Sequence, residues 1–172
     1  MPRIVACGSR KNAYDSFCTA IEQGEEAYLL VDSEDPVAAD HQRGDDSSEW
    51  LPWAHLHRRQ GDHWPHPPGA EESQCHLMVR CMESWFLADS DTLEAFFDQG
   101  FNSNALPNAA NPIETIDKKR VYQTLAAATR DCQTKSSYDK GKHSFELLGL
   151  IDPNKVKDAS PWAKRFIEYL LG

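Results

Sequence analysis

Apolar positions in this chain follow two different periods. A short continuous run, Ile4, Val5 and Ala6, stops at Gly8. A longer one, from Ala27 to Val31, drops abruptly into Asp32, Ser33, Glu34 and Asp35. Between the runs, Tyr14, Phe17, Cys18 and Ile21 recur at the i, i+3, i+4, i+7 spacing of one helix face, and Gly24 ends the pattern. Strand, helix and strand at this spacing predict a βαβ unit. Runs that are apolar on both faces belong to a covered, parallel sheet. A third strand is predicted over 76–80. The fold class is therefore α/β, with a mostly parallel sheet built from 3–7, 27–31 and 76–80.

The remaining pattern is largely helical. Residues 37–74 carry many charges, five of the seven histidines and four prolines, which predicts a long loop interrupted by a helix over 48–58 with Trp50, Trp53 and Leu56 inward. Loops of that length inside a domain are usually functional. Beyond the third strand, helices are expected over 82–87, from Asp89 or Ser90 through Phe97, over 116–130 and over 143–150. Residues 101–112 and 133–142 read as loops. Asp152-Pro153 and Ser160-Pro161 are cap-then-proline pairs that open helices. The last of these is expected to bury Ala163, Phe166, Ile167 and Leu170. The carboxyl-terminal third is thus helical.

Bulk composition narrows the class. A chain of 172 residues with 40% hydrophobic positions fits one domain spanning 1–172 with its own core. No apolar run approaches the length that crosses a bilayer, and the first residues show no secretory pattern. An odd number of cysteines, five, without framework spacing suits a reducing compartment and predicts a cytoplasmic protein. The net charge of −9 disfavours non-specific nucleic-acid binding by the chain alone, because phosphates are neutralised by clustered cations.

Five segments are candidates for chemistry. Asp32 and Glu34 stand two residues apart at the end of a strand, where side chains repeat every second position. Ligands of parallel sheets bind at that edge. Two carboxylates there suit Mg²⁺ or Mn²⁺, which take oxygen ligands; the alternative is a solvated turn. Glu83 falls where a strand becomes a helix. It reads either as a cap for the helical N–H groups or as a third carboxylate. Lys140, Lys142 and His143 form the main basic patch, beside a helix start, and suit a phosphate; a solvated loop is the other reading. Arg10 and Lys11 follow Gly8 in a βα turn without a nucleotide-binding glycine pattern. His63, His66, Cys75, His76 and Cys81 lack the paired spacing of a zinc site.

A set of motifs now adds a resemblance. The segments P-R-I-V-A-C-G-S-R-x-x-A-Y-D-S-F, L-L-V-D-S-E-x-P-V, H-L-M-V-x-C-M-E-x-W-F-L-A-D and K-G-x-H-S-F-E-L-L-x-x-I-D-P resemble those of the bacterial domain-of-unknown-function family 4276, over nearly the whole chain. The resemblance implies a three-layer TOPRIM-like fold related to OLD and RloB proteins. It also implies a place beside AAA- or ABC-type ATPases in phage-defence neighbourhoods. In TOPRIM proteins a D-x-D or similar pair binds Mg²⁺, and Asp32 and Glu34 match it as D-x-E. Glu83 in M-E-x-W resembles the F-E-x-W of RloB-like proteins. The family's opening Glu-Gly strand has no counterpart here. The expectation is a metal-dependent nuclease with Asp32, Glu34 and Glu83 as catalytic carboxylates. It would hold Mg²⁺ or Mn²⁺, act with an ATPase and meet nucleic acid within that complex. The alternative is a non-catalytic binding or regulatory subunit of the ATPase, with the loop carrying Trp50, Trp53 and Trp64 as the contact.

Overall fold

The computed structural model of the chain describes residues 3–108 and 112–171. Of the expected loop over 101–112, positions 109–111 lie outside the described residues. Two compact units divide the chain, Met1–Met78 and Val79–Gly172.

The first unit is built on two parallel strands, β1 (Leu29–Asp32) and β2 (Cys75–Met78). Leu29 pairs with Cys75, and Asp32 with Met78. Helix α1 (Arg10–Glu22) packs on β1, and α2 (Pro52–Arg58) packs on β2. Helix α1 starts at Ser9, whose hydroxyl accepts the Asn12 N–H, satisfying one of the orphan donors of the first turn. It buries Tyr14 and Phe17, as the period predicts.

The expected strand over 3–7 does not form. Those residues are irregular, and Ile4 is 93% exposed. A strand needs a neighbour for its backbone groups, and the three-residue apolar run finds none. Instead the chain turns at Gly8, at φ 78°, straight into α1. The sheet is accordingly two-stranded among the described residues, and the third expected strand ends at Met78. Arg80 leaves it with φ 65°.

The long segment after β1 is more ordered than its composition suggests. Besides α2 it holds single 3₁₀ turns at Ala39–His41, Ser47–Glu49 and Glu72–Gln74. Its tryptophans are the core of the unit: Trp50, Trp53 and Trp64 are all buried. Trp53 lies against Phe17 and stacks on His66, while Trp64 stacks on Tyr14 with centroids 4.7 Å apart. The Trp53 indole N–H donates to the Glu71 carbonyl, so its polar edge is satisfied without solvent. These rings are therefore no surface for a partner. They supply the apolar mass that two short strands cannot.

The second unit is helical: α3 (Glu83–Phe86), α4 (Ser90–Phe97), α5 (Lys118–Thr129), α6 (Lys140–Leu148), α7 (Pro153–Ala159) and α8 (Pro161–Leu171). Caps fix the starts. Asp89, Asp117, Asp139 and Asp152 each accept a backbone N–H from the first turn of the helix that follows. The buried side chains of α8 are Trp162, Ala163 and Arg165 rather than the expected Ala163, Phe166, Ile167 and Leu170. Trp162 claims the core because the α8 start is tied down: Glu114 accepts the Ser160 hydroxyl and the Trp162 N–H. At Gly100 a side chain is impossible, since a Cβ would stand 2.1 Å from the Asp131 carbonyl oxygen. No helix among the described residues is long and apolar enough to cross a membrane.

Asp89 is the polar anchor of this unit. It is buried, and both its oxygens are used. Oδ1 takes the Thr92 N–H and the Lys155 ammonium; Oδ2 takes the Thr92 hydroxyl and the Asp152 N–H. Burial alone would raise its pKa; Lys155, Asp152 and Thr92 outweigh that and hold it at about 2. The folded pKa is depressed, so this stabilisation is present above the unfolded value. It is lost as pH falls from about 4 toward 2. Asp89→Asn is expected to cost about 2 kcal/mol at neutral pH. Urea midpoints of variant and parent, measured against pH, should converge over that acid window.

Candidate functional sites

In the first unit, chemistry gathers past the carboxyl end of β1. Asp32 is the last strand residue, Ser33 is fully buried, and Glu34 sits in the left-handed region at φ 64°. The Ser33 N–H continues the ladder to the Met78 carbonyl, and its hydroxyl closes a tight turn onto the Asp35 carbonyl. A left-handed non-glycine residue is uncommon and mildly strained. Here the buried serine, fixed at both ends, holds it.

Arg10 controls this end of the strand. Its Nε donates to the Asp32 carbonyl at 2.9 Å, and its two Nη groups grip Asp62 at 2.6 and 2.7 Å. The guanidinium lies 4.8 Å from the centre of the Trp64 ring and 3.9 Å from a Glu34 oxygen. Arg59 adds ion pairs to Asp35 and Asp62 at 3.0 and 3.1 Å. Burial would raise the Asp62 carboxyl, but the two guanidinium groups keep it below its usual range. Arg10 is therefore no free phosphate ligand, and Lys11 is paired with Asp15. Sequence reasoning missed Asp62 because nothing local marks it. Its partner lies 52 positions earlier.

Behind the turn lie two histidines. His55 Nε2 contacts the Ser33 carbonyl at 3.0 Å, and the His41 ring stands edge-on to it. Neither nitrogen of His41 has a hydrogen-bond partner. Burial lowers both pKa values.

In the second unit, Glu83 is fully buried at the start of α3. Its Oε1 accepts the Tyr138 hydroxyl at 3.2 Å and faces the Lys140 ammonium at 3.3 Å. Lys140 also donates to the Tyr122 hydroxyl at 3.1 Å. Burial pushes both phenols well above their ordinary pKa; at Tyr138 the Glu83 charge adds to this, and at Tyr122 the Lys140 hydrogen bond opposes it while Glu83 adds to it, so both stay protonated. The structure thus brings Glu83 and Lys140 together and adds two tyrosines that the sequence did not single out. Lys142 is exposed on α6. His143 departs from the phosphate-binding role expected of it. It is buried against Phe96 and Phe97, and its Nδ1 accepts the Asp139 N–H.

Among the described residues no group of three or more His, Cys, Asp or Glu side chains is arranged to hold a metal ion. The Asp32 and Glu34 pair fits a narrower case. Mg²⁺ keeps much of its water and takes one or two carboxylates from a protein, and these donors are oxygen only.

The features define an α/β chain with carboxylates at a parallel strand's end and a helical unit holding a buried Glu–Lys–Tyr cluster. The chain belongs to the family described as domain of unknown function (DUF4276), whose model matches residues 8–171. No curated protein and no solved structure matches it.

Two outcomes follow from this geometry. Arg10→Lys keeps the charge but loses the planar fork, and is expected to cost about 2–3 kcal/mol, read from the urea midpoint. The histidines act on pH dependence. Their folded pKa values are depressed, so below the unfolded value of about 6.5 the unfolded chain binds more protons. Stability should fall as pH drops below that point. His41→Leu should remove part of the loss, measured by hydrogen exchange of the β1 amides at about pH 7 and 5.5.

Proposed function

We propose that this chain is the hydrolytic component of a two-part system, cleaving phosphodiester bonds with Mg²⁺ or Mn²⁺ held by Asp32 and Glu34. One observation carries the reading. A buried parallel strand ends in a D-x-E turn whose glutamate is kept in a left-handed conformation. Such a conformation at the ligand-binding edge of a parallel sheet supports a functional role for the turn. The fold assigned with it is a three-layer TOPRIM-like domain. Supporting this are the parallel β1–β2 pair, with α1 against β1 and α2 against β2, and the family's motifs.

The roles follow from the residues. Asp32 and Glu34 supply the carboxylates. The chemistry that a divalent cation brings to such a site is Lewis acidity toward a phosphoryl oxygen and a lowered pKa for water. Ser33, locked in the turn by its N–H and hydroxyl bonds, fixes the backbone between the two residues. Arg10 holds the strand end in place through the Asp32 carbonyl, and its charge beside Glu34 opposes a second cation, so metal affinity is weak. A chain of net charge −9 takes most of its nucleic-acid affinity from elsewhere, and we assign that to an AAA- or ABC-type ATPase partner in a phage-defence setting.

The Arg10 contact favours one second reading, a non-catalytic subunit that binds and regulates the ATPase, in which the guanidinium neutralises the acidic turn permanently. Calorimetric titration with Mn²⁺ separates the two. The hydrolytic reading expects binding by the parent chain and at least a tenfold loss in Asp32→Ala. It also expects Mn²⁺-dependent cleavage of DNA or RNA by the assembly with its ATPase, abolished by the same substitution. Equal Mn²⁺ binding by both proteins, or cleavage indifferent to Asp32, sinks it in favour of the regulatory subunit.

A further inference from the structure

Consecutive carbonyls at the end of β1 are gripped from different elements. Arg10, at the start of α1, donates to the Asp32 carbonyl. The next carbonyl, at Ser33, accepts twice. The Asp35 N–H returns to it at 2.7 Å, and His55 Nε2, on α2, reaches it at 3.0 Å. A carbonyl oxygen only accepts, so Nε2 carries the proton and donates.

The Asp35 bond spans two residues, around Glu34 at φ 64°. It closes a γ-turn of the positive-φ form, which is rare and strained. Glycine takes such a φ at no steric cost; glutamate does not. A contact from outside the turn has to hold it. The Ser33 carbonyl belongs to the peptide plane from which the Glu34 φ is measured, so a donor fixed on that oxygen resists rotation of the plane. His55 is such a donor. It is 5% exposed, stands 22 positions from Ser33, and sits on a helix whose Trp53 and Leu56 are in the core. The His41 ring backs it, edge-on at 6.3 Å between centroids. Ser33 is fully buried, so water cannot take over the bond without opening the turn.

We infer that His55 is a positioning residue for the acidic turn: its Nε2–H, through the Ser33 carbonyl, holds Glu34 in the left-handed conformation from which its carboxylate is offered to a divalent cation. The cation half of this rests on the reading of Asp32 and Glu34 as metal ligands; the conformational half does not. His55 acts through the backbone and is no ligand itself.

Two measurements on the full chain at neutral pH test it. A residue at positive φ gives a strong nuclear Overhauser effect between its own amide and α protons. That signal at Glu34 is expected in the parent, lost in His55→Leu and retained in His55→Gln, whose side-chain amide nitrogen stands where Nε2 does. Mn²⁺ affinity, by calorimetry, should follow. It is expected to fall about tenfold in His55→Leu, the low end for a group that orients a metal ligand, and to stay within about twofold of the parent in His55→Gln. His55→Asn, whose amide stops short of Ser33, replaces the leucine variant if that one does not fold. A parent without the Glu34 signal overturns the inference, as does a signal that survives loss of the bond. So does a lost signal with Mn²⁺ affinity unchanged, and so does a glutamine variant that behaves as the leucine one, which points to packing instead. Asp32→Ala runs alongside. If it binds Mn²⁺ as the parent does, or the parent binds none, the metal reading fails, and the Glu34 signal alone decides whether His55 holds the turn.

Discussion

A carboxylate taken out of water has to be met by donors fixed in advance, and this constraint shapes both units of an acidic chain. In the first unit Asp62 is nearly sealed, and the Arg10 fork and Arg59 meet it. In the second, Asp89 collects four donors and Glu114 two from the α8 start. Each such group costs several kcal/mol if stripped of partners. The elements that supply those partners are thereby pinned: α1 to the 59–62 turn, α4 to the α7 start, and α8 to the turn at Ile113–Thr115.

Those same contacts organise the candidate chemistry. Arg10 joins the first turn of α1, the end of β1 and the Trp64 ring, so the acidic turn rests on the aromatic core rather than on the two-stranded sheet. The tryptophans do the work that additional strands do in larger sheets. In the second unit the Glu83 cluster obeys the constraint only in part, since Glu83 Oε2 is buried without a hydrogen-bond partner among the described residues.

The helices were largely readable from sequence because their signals are local. Ser9, Asp89, Asp117, Asp139 and Asp152 act within three residues of themselves, and the i, i+3, i+4 period needs no distant partner. Strands are conditional on a neighbour. The 27–31 run found one in β2, whereas the short apolar run at Ile4 and Val5 carries a similar signal and forms no strand. The acidic turn after β1 was visible as a drop from apolar to charged residues. Its Arg10–Asp62 clasp was not, since the two residues are remote in sequence. Trp50, Trp53 and Leu56 were legible as inward-facing, and all three are buried; Trp64 was not, because a charged, proline-rich background masks burial that depends on its stacking with Tyr14. Tyr122 and Tyr138 gave no signal, because a tyrosine on a helix or in a loop has no period that points at a carboxylate.

The exposed opening segment has a colloidal consequence. Ile4 and Val5 present exposed β-branched side chains to any other copy they meet, and short exposed apolar stretches of that kind favour association between chains. Mutual repulsion opposes that encounter as long as the net charge stays near −9. Repulsion fades toward the isoelectric point of about 5.2. The colloidal margin of this chain is therefore electrostatic, narrowing with acidity and with added salt even where the fold itself is intact.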